Sequence, residues 1–242
     1  MKNSRLLRAV CALMLAVLTT YAQASLVVPP GLNPGDTYHV IFVTSTSTYA
    51  SSADITTYDA FVQSAADTAG IGASIGVDWL ALGSTPTLDA RDHIAPLFTD
   101  INVDTPIYNQ NGELVANGYN DLLSGTYLVN PILYDEYAAA LHTTVWTGSD
   151  GFGYRDNPNA LGNSTDSFYI AYGESDVKTY FWLNFDSSYE SYLRSLYAIS
   201  EELVVTSSYT AASSNVPIPA TVWLFGSGLL GMIGIARRKK AL

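Results

Sequence analysis

Asp54-Ile55-Thr56-Thr57-Tyr58-Asp59-Ala60-Phe61-Val62-Gln63-Ser64-Ala65-Ala66-Asp67-Thr68-Ala69-Gly70 decides how the chain is read. Ile55, Tyr58, Phe61, Val62, Ala65, Ala66 and Ala69 recur at three- and four-residue spacing, which places them on one helical face. Asp54 is an N-cap residue and Gly70 a C-terminal stop, so one main helix is predicted between them. Before it, Tyr38-His39-Val40-Ile41-Phe42-Val43 is β-branched and aromatic and reads as a buried strand. After it come short strand signals: Trp79–Leu82, Val145-Trp146, Tyr180–Leu183 and Leu196–Ile199, with Leu203–Val205 extending the last. Pro106 to Gly118 reads as a hairpin turning at Asn111-Gly112, because that dipeptide supplies the positive φ a tight turn needs. His142 is expected to end a further helix. One main helix with many short antiparallel strands is an α+β domain, taken as residues 25–206.

Both ends carry addressing patterns. Residues 1–24 read as a Sec signal peptide. Lys2, Arg5 and Arg8 are basic, Ala9 to Leu18 apolar, and Ala22-Gln23-Ala24 gives small-x-small cleavage before Ser25. At the other end a small, polar linker, 207–215, precedes the segment 216–242. There Val216-Pro217-Ile218-Pro219 leads into Ala220–Ala236, 17 residues without charge, followed by Arg237-Arg238-Lys239-Lys240. Seventeen residues make roughly 25 Å of helix, near the thickness of a bilayer core once snorkelling basic side chains are added. The glycines within it are ordinary in a membrane helix, and the cations are expected to stay cytoplasmic. With Trp223-Leu224-Phe225-Gly226-Ser227-Gly228 in place, this segment resembles the PEP-CTERM sorting signal, with Ile218 where that family has Glu. The resemblance implies an exosortase-like membrane protease as partner. It also implies a transient inner-membrane stage and release to the cell surface or exopolysaccharide matrix.

The sequence has 11 Lys and Arg and 22 Asp and Glu. Seven of the cations lie in the two addressing segments, so the exported part keeps Arg91, Arg155, Lys178 and Arg194 against all 22 acids, a formal charge of −18. Such a surface repels polyanions and argues against nucleic acid or anionic lipid as a partner. The one cysteine, Cys11, falls inside the signal peptide, which leaves the exported domain without disulfides or thiolate metal ligands.

The order of segments within the domain resembles the DUF1554 family, in the endostatin-like branch of the C-type-lectin-like fold. It runs IFVTSTST (41–48), DAFVQSAADTAGI (59–71), WLAL (79–82), ARDHI (90–94), PIYNQNGELVANGYNDLLSGTYLVNPI (106–132) and VWTGSDGFG (145–153). The family's pattern has cysteine at the place of Val62 and a later Cys…Trp segment absent here. The resemblance implies a C-type-lectin-like single domain carrying ligands on a long loop. The loop after Trp146 is the matching candidate, with Asp150, Asp156, Asn157, Asn159, Asn163 and Asp166. Those oxygens suit calcium or sugar hydroxyls, and equally any solvated loop. No cofactor is otherwise implied.

Catalytic patterns are sparse. Asp89-Ala90-Arg91-Asp92-His93 sets two carboxylates beside an imidazole, which would support a secreted hydrolase, but no nucleophile elbow accompanies it. An Arg91–carboxylate pair shaping a loop is the simpler expectation. Asp100-x-Asn102-x-Asp104 begins like an EF-hand, then departs with Thr105 at position six, Pro106, and Asn111 at position twelve. Tyr169, Tyr172, Tyr180, Trp182, Phe185, Tyr189, Tyr192 and Tyr197 cluster late, as stacking platforms for sugars or as ordinary packing. The domain is therefore expected to be a non-enzymatic structural or carbohydrate-binding module. A secreted hydrolase and an uncut membrane-tethered protein are the alternatives.

Overall fold

The computed structural model describes residues 24–101, 103–163 and 168–206. The chain divides into Met1–Val205 and Thr206–Leu242. The expected signal peptide through Gln23 (with Ala22), Asn102, Asp166, and the expected linker and sorting segment with its apolar stretch 220–236 lie outside the described residues. Among the described residues no helix is long and apolar enough to cross a membrane.

The first strand, β1 (Thr37–Val43), is the centre of the domain. Its residues from Tyr38 to Val43 are all buried, and they divide by parity between two cores. Val40 and Phe42 face one, Ile41 and Val43 the other. A continuous apolar run is what a strand covered on both sides requires. The remaining strands are β2 (Trp79–Ala81), β3 (Ile107–Asn109), β4 (Leu114–Ala116), β5 (Thr144–Trp146), β6 (Tyr169–Glu174), β7 (Asp186–Tyr189), β8 (Tyr197–Ser200) and β9 (Leu203–Val204). They form a six-stranded sheet ordered β2-β8-β1-β3-β4, with β9 also on β1, and a three-stranded sheet β5-β6-β7. The pair β1–β3 is parallel, His39 opposite Ile107. That departs from the all-antiparallel expectation, because helix and β2 intervene between the two strands. The C-terminal strands β8 and β9 run antiparallel to β1.

The main helix, α1 (Ile55–Ala69), forms where its sequence pattern places it. Asp54 accepts a hydrogen bond from Thr56 N at 3.0 Å, and Gly70 ends the helix in the left-handed conformation. Tyr58, Val62, Ala65, Ala66 and Ala69 are buried. They join Trp79, Trp146 and Ala198 in the core on the Val40–Phe42 side of β1. Leu26, Val27, Val28 and Leu32 pack against the same core, so the described chain is anchored almost from its first residue. Two short helices follow, α2 (Ala90–Ile94) and α3 (Tyr119–Leu122). The hairpin turns at Asn111-Gly112 as read, Gly112 having φ 81°.

Two sequence readings do not hold. Tyr180–Trp182 is a 3-10 turn, not a strand. Trp182 and Leu183 are both buried, which an alternating strand at a sheet surface cannot provide. The turn instead lays the Trp182 carbonyl across Gly173 of β6, where only a glycine fits. The alanine-rich stretch before His142 is not helical either. Asp135 Oδ1 accepts from Tyr137 N and Ala139 N, both at 2.9 Å, and Ala138 sits at φ 60°. A local Asx turn outcompetes alanine's helix propensity, and Tyr134 bridges back to Ala140.

Candidate functional site

An open cleft of about 530 Å³ lies where the loop after β5 meets the 3-10 turn before β7. It is lined by Gly125, Asp150, Gly151, Phe152, Asp156, Tyr180 and Asn184. Two exposed rings form its walls, Phe152 at 52% and Tyr180 at 48% exposure. Carboxylates and an amide form the rest.

The root of the loop is rigid. Gly148 takes φ 58° directly after β5, in close approach to the backbone of Ser84 and Leu161. Ser84 Oγ and Ser149 Oγ lie 2.7 Å apart, and Ala90 N donates to Ser84 Oγ at 2.8 Å, which ties the loop to the start of α2. At the tip, Asp150 Oδ1 accepts from Phe152 N and Tyr154 N at 2.9 and 3.0 Å. Asp156 Oδ2 accepts from Asn184 Nδ2 at 3.2 Å and Asn159 Nδ2 at 3.4 Å, and Asn184 Nδ2 also donates to Ser149 O at 2.7 Å. Asp150 Oδ2 and Asp156 Oδ1 have no hydrogen-bond partner among the described residues. Each carboxylate is therefore held through one of its oxygens, Asp150 by Oδ1 and Asp156 by Oδ2. The rings are seated on glycine backbone: a Cβ at Gly125 would lie 2.4 Å from the Phe152 ring, and one at Gly151 would lie 3.3 Å from Tyr180 Cβ.

Arg91 and Arg155 brace this loop from behind. Arg155 Nε donates to Asp89 Oδ1 at 2.8 Å, and its Nη1 to Pro86 O. Arg91 instead stacks its guanidinium over Tyr154, 4.6 Å from the ring centroid, and donates to Phe152 O at 3.3 Å. The expected Arg91–carboxylate pair is thus corrected: Asp89 pairs with Arg155, and Arg91 acts through π stacking.

His93 does not join Asp89 or Asp92 in a catalytic arrangement. Its Nε2 lies 2.9 Å from Asp59 Oδ1 on α1, and that same oxygen accepts from Ala81 N at 2.9 Å. The pair fastens α2 to α1 and β2. His142 pairs with Asp176 at the exposed surface. His39 is fully buried, with Nδ1 3.0 Å from Ser200 O; since a carbonyl only accepts, Nδ1 carries the proton. Nε2 is then a bare acceptor with no partner among the described residues, and burial lowers the imidazole pKa below its ordinary 6.5.

Trp146 is fully buried and donates from Nε1 to Thr48 O at 3.1 Å, so it supports the loop from the core and does not line the cleft. Asn157 is exposed outside the cleft lining, and Asn159 Nδ2 donates to Asp156 Oδ2 at 3.4 Å. Calcium wants six to eight converging oxygens. Among the described residues no group of three or more His, Cys, Asp or Glu converges, and each loop carboxylate already has one oxygen committed to N–H donors. Asp166, the remaining carboxylate of the loop, lies outside the described residues. Phe152, Gly125, Tyr180 and Asn184 come from three separate segments. Of these, only Tyr180 carried a sequence signal, as part of the aromatic cluster.

That cluster divides in the folded domain. Trp182 and Tyr197 are core, their rings 5.5 Å apart. Tyr169 and Tyr189 pair across β6 and β7 at 4.4 Å, with Tyr192 beside Tyr189. Tyr172 lies 3.7 Å from the Arg194 guanidinium carbon, which also sits 4.8 Å from the Trp146 ring. Burial lowers the Arg194 pKa, opposed by the Tyr172 hydroxyl, and the group stays charged.

No family model matches the chain, and no curated protein matches its sequence. The residues quoted above are therefore all that carries the two resemblances.

Proposed function

We propose that this is an exported, non-enzymatic glycan-binding module of the cell surface or extracellular polysaccharide matrix, with its ligand site in the Phe152–Tyr180 cleft. The observation that carries the reading is the composition of that cleft. Two exposed rings, Phe152 and Tyr180, line it together with the carboxylates of Asp150 and Asp156 and the amide of Asn184. Apolar sugar faces stack on rings, and vicinal hydroxyls donate to carboxylates. The acidic surface supports an uncharged partner and opposes polyanions. Delivery rests on the sequence alone: a Sec signal peptide cut before Ser25, and an exosortase-type protease acting near Pro217–Pro219 and releasing the domain from its transient membrane helix. The packing of Leu26, Val27 and Val28 against the core supports a domain that starts just after that first cut. The C-type-lectin-like assignment is supported by β8 and β9 closing on β1 and by the long loop after β5.

A glycan array probed with the exported protein, with and without calcium, tests the module. Binding without calcium that is lost in Phe152→Ala is expected. Absence of binding under both conditions would leave only a structural role, and release of reducing ends would contradict a non-enzymatic one. Mass spectrometry of the protein from its host, with and without the sorting protease, tests delivery; a C-terminus at Leu242 in both strains would refute processing.

A further inference from the structure

The first described residues form a strap laid over the end of α1. Ala24 N donates to Ala69 O at 3.0 Å, and Gln110 Nε2 donates to Ser25 O at 3.3 Å. Beyond that point the strap is fixed. Tyr38 donates its hydroxyl to Val27 O at 3.1 Å, and Val27 and Pro30 pack on Gly112, where a Cβ would lie 3.2 and 3.3 Å from them. Two features of this seat are unmatched. Gln110 is 2% exposed, yet its Oε1 has no hydrogen-bond partner among the described residues, which is costly for a buried amide oxygen. Ser25 O only accepts, so it is the amide nitrogen that faces it and the oxygen that is left over. In addition, α1 has no basic residue in its last turn, where the carbonyl dipoles favour a cation. Asp67 is the charged group there, and its Oδ1 is occupied by Ala73 N at 2.7 Å and Gln63 Nε2 at 2.9 Å.

Removal of a leader changes the chemistry of this seat. Hydrolysis of the Ala24–Ser25 bond takes up one water, leaves a carboxylate on the departing Ala24 and creates an ammonium on Ser25. It also takes away the N–H that served Ala69 O. The new terminal nitrogen stands one residue along the strap, within about 3.8 Å of the lost one. It belongs to the same residue whose carbonyl accepts from the Gln110 amide. An ammonium brings three donors and a positive charge, the two things the seat lacks. Ser25 is exposed, so the cation keeps water on its outer side and is spared the cost of full burial. We propose that the α-ammonium of Ser25 is a ligand of its own domain, held between Ala69 O at the end of α1 and Gln110 Oε1, so that leader cleavage completes the fold. This rests on the reading of residues 1–24 as a signal peptide cut before Ser25, and adds what the cut creates.

The test uses the exported protein carrying Lys178→Arg, which leaves Ser25 the only amine among residues 25–206. Mass spectrometry identifies its first residue. The Ser25 Hα chemical shift, titrated with pH, should show proton binding about ten-fold tighter than in an unstructured Ser-Leu-Val-Val peptide. A pKa raised on folding gives a stabilisation that is complete below the ordinary α-amine value of about 8 and is lost as pH rises through the raised one. N-acetylation of Ser25 should therefore lower Tm by about 3–5 °C at neutral pH, and the difference should disappear in alkali. The other titratable groups along the strap are Asp67 of α1, Tyr38 of β1, Tyr108 of β3, Asp36 and Glu113; burial, then Asp36, raises the Tyr108 pKa. The acetylated protein keeps all of these, so the comparison subtracts them. Gln110→Met should shrink the effect of acetylation and return the α-amine towards its peptide value. Gln110→Glu, which keeps an acceptor and adds charge, should tighten proton binding further. An α-amine with the proton affinity of the peptide would overturn the proposal and leave the cut standing. So would an equal loss of Tm on acetylation with Gln110 and with Met at that position. A first residue other than Ser25 would remove the cut and the proposal together.

Discussion

Gly148 and Gly76 share the left-handed conformation, at φ 58° and 75°, but differ in what surrounds them. A Cβ at Gly76 meets nothing within 4 Å. One at Gly148 would lie 2.4 Å from Ser84 O and 2.5 Å from Leu161 N, which are backbone atoms and cannot swing aside. Gly76→Ala therefore costs the conformational penalty alone, about 1 kcal/mol. Gly148→Ala adds a forced separation of segments joined by Ser84 N to Thr147 O at 2.7 Å and Leu161 N to Ser84 O at 2.9 Å. Losing one or both of these buried bonds adds about 1–3 kcal/mol, for a total of about 2–4 kcal/mol. In a domain of this size each kcal/mol lowers Tm by about 2–4 °C. Circular dichroism melts should then show a fall of about 4–16 °C for Gly148→Ala and about 2–4 °C for Gly76→Ala. Equal shifts for the two variants would refute the close packing that fixes the root of the loop after β5.

Acid should destabilise the domain through His39. Its folded-state pKa lies below 6.5, so as pH falls past that value the unfolded chain binds the extra proton first and stability drops. His39→Gln should flatten the dependence of Tm on pH between about 7 and 5, and an unchanged slope would count against it. Asp59→Ala strands the Ala81 N–H and unpairs His93, and should cost about 1–3 kcal/mol in a denaturant melt. His93→Ala should lower stability without abolishing any hydrolytic activity; its loss would return His93 to a catalytic role. Gly125→Ala should displace the Phe152 ring and weaken glycan binding about ten-fold, with little change if the ring is not a contact.

Legibility followed the reach of each signal along the chain. The helix from Asp54 to Gly70 combined an apolar face, a cap and a stop, and Tyr38–Val43 carried a run buried on both faces, so both could be read locally. Strands β6 and β7 could not. YIAYGE and DSSY lack apolar alternation and exist because they pair with β5 and with each other. Tyr180–Leu183 looked like a strand by composition, yet Gly173, seven residues earlier, makes room for a turn there. The candidate site was half visible. Asp150 and Asp156 stood out in a Gly- and Asn-rich loop, whereas Phe152, Asn184 and Gly125 meet them only through tertiary contacts.

The central claim, that the cleft binds a neutral glycan, is tested most directly by an amide chemical-shift titration of the ¹⁵N-labelled exported domain with a neutral oligosaccharide selected on the glycan array. Saturable shifts confined to Gly125, Gly151, Phe152, Tyr180, Asn184 and their neighbours are predicted, and they should be absent in Phe152→Ala. Saturable shifts elsewhere on the domain, with these amides unmoved, would contradict it.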